Sequence, residues 1–130
     1  MKKSLLKQTL NITLNELNNH PQFDCFPHWT FLIKDNQIIG KGLNRKHEPP
    51  KYLGYHREYE LDFRPKWHSE LGAIYNTKRY LEDIYVINIR LNKSGETRIA
   101  MPCDSCLRIL QAHRIKRIYF TTNKVWGHIS

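Results

Sequence analysis

Leucines recur along residues 4 to 18 at Leu6, Leu10, Leu14 and Leu17, with Lys, Gln and Asn between them. Steps of three and four put these four side chains on one face of a helix. Pro21, following Asn18 and Asn19, marks its end. The pattern then changes. Residues 29 to 33 form a short, nearly continuous apolar run, Asp35-Asn36 supplies a turn, and residues 38 to 43 read as the hairpin partner. Gly40 and Gly42 fall inside that partner, where glycine weakens a strand and marks close approach by another group.

Periodicity disappears over 45 to 66, a long loop crowded with Tyr52, Tyr55, Tyr59 and Phe63 and carrying charges of both signs. Loops of this length inside a compact domain serve as lids or binding segments, so this one is expected on the substrate side. A helix is predicted over 68–80, with Leu71, Ile74 and Tyr75 inward. Residues 85 to 91 are the clearest strand, an apolar and β-branched run, and Asn92-Lys93-Ser94-Gly95 turns away from it. A short extended piece over 98–101 precedes a helix over 103–113, whose apolar side is given by Leu107, Leu110 and Ala112. A strand follows over 117–121. The residues after it are too few for a parallel crossover, so 125–129 is expected to return antiparallel. The expected architecture is α/β, a three-layer α/β/α arrangement with a mixed five-stranded sheet and a C-terminal antiparallel hairpin.

A chain of 130 residues is expected to be one domain spanning 1–130, large enough for a core without disulfide staples. Its three cysteines, two of them spaced Cys-x-x-Cys, point to metal or redox chemistry rather than a disulfide framework. Cys25, the third, is expected to be a small core hydrophobe. Lys7, Gln8 and Asn11 interrupt the apolar N-terminus too early for a secretory signal, and no stretch reaches transmembrane length. A cytoplasmic protein without a membrane partner is expected. The formal charge of +9 favours polyanionic partners. After Asp104 the chain carries no acidic residue, while Arg108, Arg114, Lys116, Arg117 and Lys124 all lie there.

The candidate chemistry sits in two pieces, Trp67-His68-Ser69-Glu70 and Met101-Pro102-Cys103-Asp104-Ser105-Cys106, with Cys103 following His68 by 35 residues. One imidazole and two thiols make three ligands, the number a catalytic zinc takes when it leaves a fourth position to water. Glu70, two residues beyond the imidazole, is placed to move protons there. Pro102 suits a helix start, and Cys103 and Cys106 are then i and i+3 on one side of it. A structural zinc site would want a fourth ligand at matching spacing, and the chain has no second Cys-x-x-Cys and no His-x-x-x-His.

With these residues the chain resembles the cytidine deaminase-like superfamily of zinc-dependent nucleoside, nucleotide and polynucleotide deaminases, over about residues 29 to 122. The resemblance implies His68, Cys103 and Cys106 as ligands of Zn2+ and Glu70 as the proton shuttle. Gly40-Lys41-Gly42-Leu43-Asn44-Arg45 resembles the end of the second strand in transfer-RNA adenosine deaminases, which implies a substrate contact for Asn44; a turn asparagine is the alternative. A histidine ligand resembles the nucleotide and polynucleotide members. The expected terminal hairpin resembles instead the branch containing cytidine deaminases and bacterial toxin deaminases.

Three readings of the substrate follow. In the first, cytosine is deaminated in single-stranded DNA or RNA, with DNA favoured, because basic grooves with stacking rings hold single strands. Trp67, beside a ligand, and Trp126 and His128, on the last strand, are the candidate stacking residues, with core packing as their alternative role. In the second, the substrate is a free nucleotide or nucleoside such as deoxycytidylate, and Arg45 or Lys46 holds its phosphate. In the third, the chain is a silent zinc-stabilised scaffold that binds nucleic acid, against which an intact Glu70 argues.

Overall fold

The computed structural model describes residues 1–19, 27–44, 68–77, 81–124 and 126–129. The apolar run expected at 85–91 is β3, Ile84–Leu91, and it is the central strand. β1 (His28–Lys34) pairs with it antiparallel, and β2 (Gln37–Leu43) pairs antiparallel with β1. On the other side β5 (Ile115–Thr121) runs parallel to β3, and β6 (Trp126–Ile129) returns antiparallel to β5. The order is β2-β1-β3-β5-β6. The sheet also contains β4, the two residues Thr97–Arg98, paired with the end of β3, so the described sheet has six strands where five were expected. The sixth is the short extended piece expected near 98.

The β1–β2 turn needs no glycine. Asp35 and Asn36 adopt φ of 51° and 61°, the pair of positive values that a two-residue hairpin turn of the favoured hand requires. Asp and Asn tolerate that region better than other residues with a side chain.

Helix α1 (Ser4–Asn19) covers one face of the sheet, packing Leu5 and Leu17 against Trp29, Phe31, Ile33, Ile87, Ile89 and Leu91. Helices α2 (Ser69–Asn76) and α3 (Asp104–Ala112) cover the other, packing Leu71, Ile74, Ile109 and Leu110 against Leu32, Val86 and Ile118. The three layers are as expected; several inward faces are not. On α1 the buried line is Leu5, Thr9, Thr13 and Leu17, flanked by Leu6, Leu10 and Leu14. The threonine hydroxyls donate back into the helix, Thr9 to the Leu5 carbonyl at 2.9 Å and Thr13 to the Leu10 carbonyl at 2.7 Å. Each hydroxyl is thereby satisfied without leaving the buried line. Tyr75, expected inward on α2, is exposed, and on α3 Ile109 takes the buried place expected of Ala112. In both cases the buried residues of the last turn, Ile74 on α2 and Ile109 with Leu110 on α3, define the face turned to the sheet. Among the described residues no helix is long and apolar enough to cross a membrane. The 45–66 loop, Cys25 and residues 78–80 of the expected 68–80 helix lie outside the described residues.

One contact decides where α2 sits. A β-carbon built on Gly42 would collide with the backbone of Ser69, Gly72 and Ala73, and one on Gly40 with the side chain of Thr77. Helix and strand therefore meet backbone to backbone at Gly42. Gly42→Ala should lower stability by about 1–3 kcal/mol, the range for inserting a methyl where nothing can yield. An unchanged urea unfolding midpoint would show that α2 is not seated this way.

Candidate metal and catalytic centre

His68 and Cys103 occupy equivalent positions, each capping the N-terminus of its helix with extended backbone. The first helical hydrogen bonds run from Gly72 N to the His68 carbonyl (3.2 Å) and from Leu107 N to the Cys103 carbonyl (2.8 Å). Both helices begin at the edge where the parallel strands β3 and β5 end, the edge at which open α/β sheets bind ligands. The Cys103 segment is stitched there from upstream: Ala100 N donates to the Thr121 carbonyl at 3.0 Å, and the Thr121 hydroxyl donates to the Arg98 carbonyl at 2.7 Å.

This brings one nitrogen and two sulfurs together. Nδ1 of His68 lies 3.3 Å from Cys106 Sγ and 3.6 Å from Cys103 Sγ, and the three donor atoms lie within 4.8 Å of one another. Ligands bonded tetrahedrally to zinc at ordinary Zn–N and Zn–S lengths would be separated by about 3.5–3.8 Å, so the spacing fits that ion and the donor set suits it. Hydrogen bonding to Cys106, and then to His68, lowers the Cys103 thiol to about 3 against the pull of burial. A thiol of that kind is a thiolate at neutral pH, the form that binds metal.

Glu70, in the first turn of α2, is almost fully buried. Its carboxylate is held on both oxygens: Oε1 accepts from the Ser69 hydroxyl at 3.1 Å and Oε2 from the Asn88 amide at 3.2 Å. Asn88 also donates to the Ala100 carbonyl at 3.2 Å and accepts from the Thr30 hydroxyl at 2.7 Å, and Thr30 lies 2.8 Å from Ser69 Oγ. Thr30, Ser69 and Asn88 have no exposed surface.

His28 lies two residues before Thr30 on β1, and strand alternation puts it on the same face. Its Nε2 is the one buried side-chain nitrogen or oxygen without a hydrogen-bond partner among the described residues. Burial lowers its pKa below the usual histidine value, opposed by the charge of Glu70. Asn44 fastens this end of β1: its backbone N–H donates to the His28 carbonyl at 3.1 Å and its Oδ1 accepts from His28 N at 2.9 Å.

The structure thus gathers His68, Cys103, Cys106 and Glu70, and sets Asn44 beside them through His28. Arg45 and Trp67 lie outside the described residues. Trp126 and His128 are not brought to the centre. They sit on the α1 side of the sheet, where Trp126 packs with the Trp29 cluster and the His128 ring lies 6.2 Å from that of Tyr119. Part of the basic, acid-free end of the chain also lies away from the centre. Arg114, Lys116 and Arg117 lie around the start of β5, at the opposite end of that strand. Arg114 meets Glu82 at 3.4 Å and Lys116 meets Asp83 at 3.9 Å. Reading the sequence missed His28, Thr30, Ser69 and Asn88. Asn88 alone carried a signal, as an amide inside an otherwise apolar stretch of strand.

A layered α/β/α sheet with an imidazole, two thiols and a buried carboxylate at two helix starts has the cytidine deaminase-like fold. A solved structure described as dCMP deaminase from the cyanophage S-TIM5 in complex with dCMP and dUMP has this fold. The likeness has a TM-score of 0.60 at 15% sequence identity, covering 92% of this chain and 82% of that one. No protein-family model matches the chain, and no curated protein matches its sequence.

Purified protein should carry one zinc per chain, and Cys106→Ala should lose it. Because a ligand that binds only the folded state stabilises it, a zinc chelator should lower the melting temperature of the parent and leave that of Cys106→Ala unchanged. A parent that melts identically with and without zinc would exclude the site.

Proposed function

We propose that this chain is a zinc-dependent hydrolytic deaminase that converts cytosine to uracil in single-stranded nucleic acid, DNA being favoured. The observation that carries the reaction is the buried Glu70 carboxylate two residues from a His68–Cys103–Cys106 donor set whose spacing suits zinc. When bound, zinc supplies the Lewis acidity that brings the pKa of a water near neutrality. Glu70 takes a proton from the attacking water and delivers it to the ring nitrogen N3, then takes the remaining proton from the new C4 hydroxyl and delivers it to the departing amino group. The C4–N bond breaks, a C4 carbonyl forms and ammonia leaves. One carboxylate serves both transfers because they occur in sequence. The unpartnered Nε2 of His28 and the Asn44 side chain would meet the polar edge of the base.

Support for a polynucleotide comes from the same sheet edge. A cleft of about 310 Å³ is lined there by Arg90, Leu91, Asn92, Arg98, Ile99 and Asn123. Ile99 and Met101, both exposed, lie along the chain between Arg98 and Cys103. Cations for phosphates and apolar contacts for base faces are what single strands require. Trp126 and His128, on the other face of the sheet, would contribute to strand affinity away from the reacting base. The second reading is a free nucleotide such as deoxycytidylate, favoured by the likeness to a deaminase solved with dCMP and dUMP. In that reading a single phosphate occupies the arginine-lined cleft.

Zinc-loaded protein assayed on cytosine, cytidine, deoxycytidylate, and DNA and RNA oligonucleotides should release ammonia fastest from single-stranded DNA. Release from deoxycytidylate with none from oligonucleotides would select the second reading. Glu70→Gln should lower kcat by roughly 10²–10⁴-fold, and full activity in that variant would exclude the mechanism. Arg98→Ala should weaken oligonucleotide binding at all sequences and reduce the salt slope by about one ion; an unchanged slope would remove Arg98 from the phosphate path.

A further inference from the structure

Asn88 is the one polar residue between Ile84 and Ile89, on a strand buried on both faces, where an amide without partners would be costly. Its partners account for every hydrogen-bonding group it has. Glu70 Oε2 and the Ala100 carbonyl are both acceptors, so the Asn88 amide nitrogen must face them with its two protons. Its oxygen is left to the Thr30 hydroxyl. That orientation is therefore determined by chemistry, and it aims one N–H at the carboxylate that the proposed reaction uses. The Ala100 carbonyl, at the other proton, belongs to the segment leading into Pro102 and Cys103. One amide thus ties the proton carrier on α2 to the chain that bears the two thiols.

We propose that Asn88 is a positioning residue for Glu70, set in orientation by Thr30 and Ala100 and assisted on the other carboxylate oxygen by Ser69. It touches neither metal nor substrate; it acts by holding the carboxylate against rotation while a proton arrives and leaves. The inference rests on the deaminase reading above. The hydroxyl inventory agrees with that role. Thr30 donates to Asn88, Ser69 donates to Glu70, and Thr30 and Ser69 are in contact at 2.8 Å, so the three residues form one chain ending on the carboxylate. That chain and the Asn88 amide hold the carboxyl group by both oxygens.

The test is a double-mutant cycle of Asn88→Leu with Glu70→Gln, followed under single-turnover conditions, with zinc content and a crystal structure of each variant. Asn88→Leu is expected to lower kcat by roughly 10–100-fold, as loss of an outer-shell partner does. KM should stay within about twofold, since uniform binding is untouched, and zinc should remain at one per chain. In the Glu70→Gln background the same substitution should produce no further fall, because the two act as a unit. The crystal structure of Asn88→Leu should show the Glu70 carboxylate displaced. Wild-type kcat in Asn88→Leu, an equal loss in both backgrounds, or an undisplaced carboxylate would each overturn the proposal. Should Asn88→Leu fail to fold, Thr30→Val removes the hydroxyl that orients the amide. It should lower kcat with zinc retained, and Thr30→Ser should restore the rate; wild-type kcat in Thr30→Val overturns the proposal. A zinc-loaded parent silent on every cytosine substrate would instead sink the deaminase reading, while the position of the carboxylate would still decide the role of Asn88.

Discussion

The contact on which the centre depends is a helix backbone laid against a strand with no side chain between them. Gly42 presents only its α-carbon to Ser69, Gly72 and Ala73, so the first turn of α2 lies as close to β2 as backbone allows. That first turn carries Ser69 and Glu70 and is capped by His68. A displacement of the helix by one methyl group would move all three together. The interval between nitrogen and sulfur, 3.3–3.6 Å here, leaves little room for such a shift. The second helix start has no comparable glycine. It is placed by the parallel pairing of β3 with β5 and by Thr121, which links β3, the segment after β4 and its own strand.

Burying a carboxylate next to that centre sets the second condition. Glu70 is almost without solvent, and a carboxylate so placed must find donors inside the protein. The donors come from two elements, Ser69 on the same helix and Asn88 on the central strand, with Thr30 of β1 closing the circuit. The low dielectric that makes an unpaired group costly also strengthens the bonds that are made. The central strand consequently serves two purposes. Its isoleucines and valine anchor the two apolar layers, and its one asparagine supports the polar group that those layers enclose.

How far the sequence could be read depended on whether the determining interactions were local. Helix starts, the Asp35-Asn36 turn and the antiparallel return after β5 all follow from neighbouring residues or from chain length, and each was legible. The donor set was legible because zinc demands a particular combination of side chains, and helical spacing brings Cys103 and Cys106 to one side. Faces were less legible. Thr9 and Thr13 lie on the buried line of α1 because a threonine that bonds its own helix presents no unmet polar group, which apolar periodicity does not register. Tyr75 is exposed and Ile109 buried because the face each helix turns to the sheet is set by packing between elements.

The sequence by itself determined the side chains of the donor set, the carboxylate beside them and the alternation of strands and helices, since these are properties of residue chemistry at short separations. Tertiary structure alone decided what surrounds them. It put Trp126 and His128 on the far face of the sheet, because strand alternation and pairing to β5 send both side chains toward α1. It set Glu82 and Asp83 against the basic start of β5, because the loop entering β3 lies alongside it. And it brought Thr30, Ser69 and Asn88, from three elements, around Glu70, because a buried charge selects its partners by proximity in space and not along the chain.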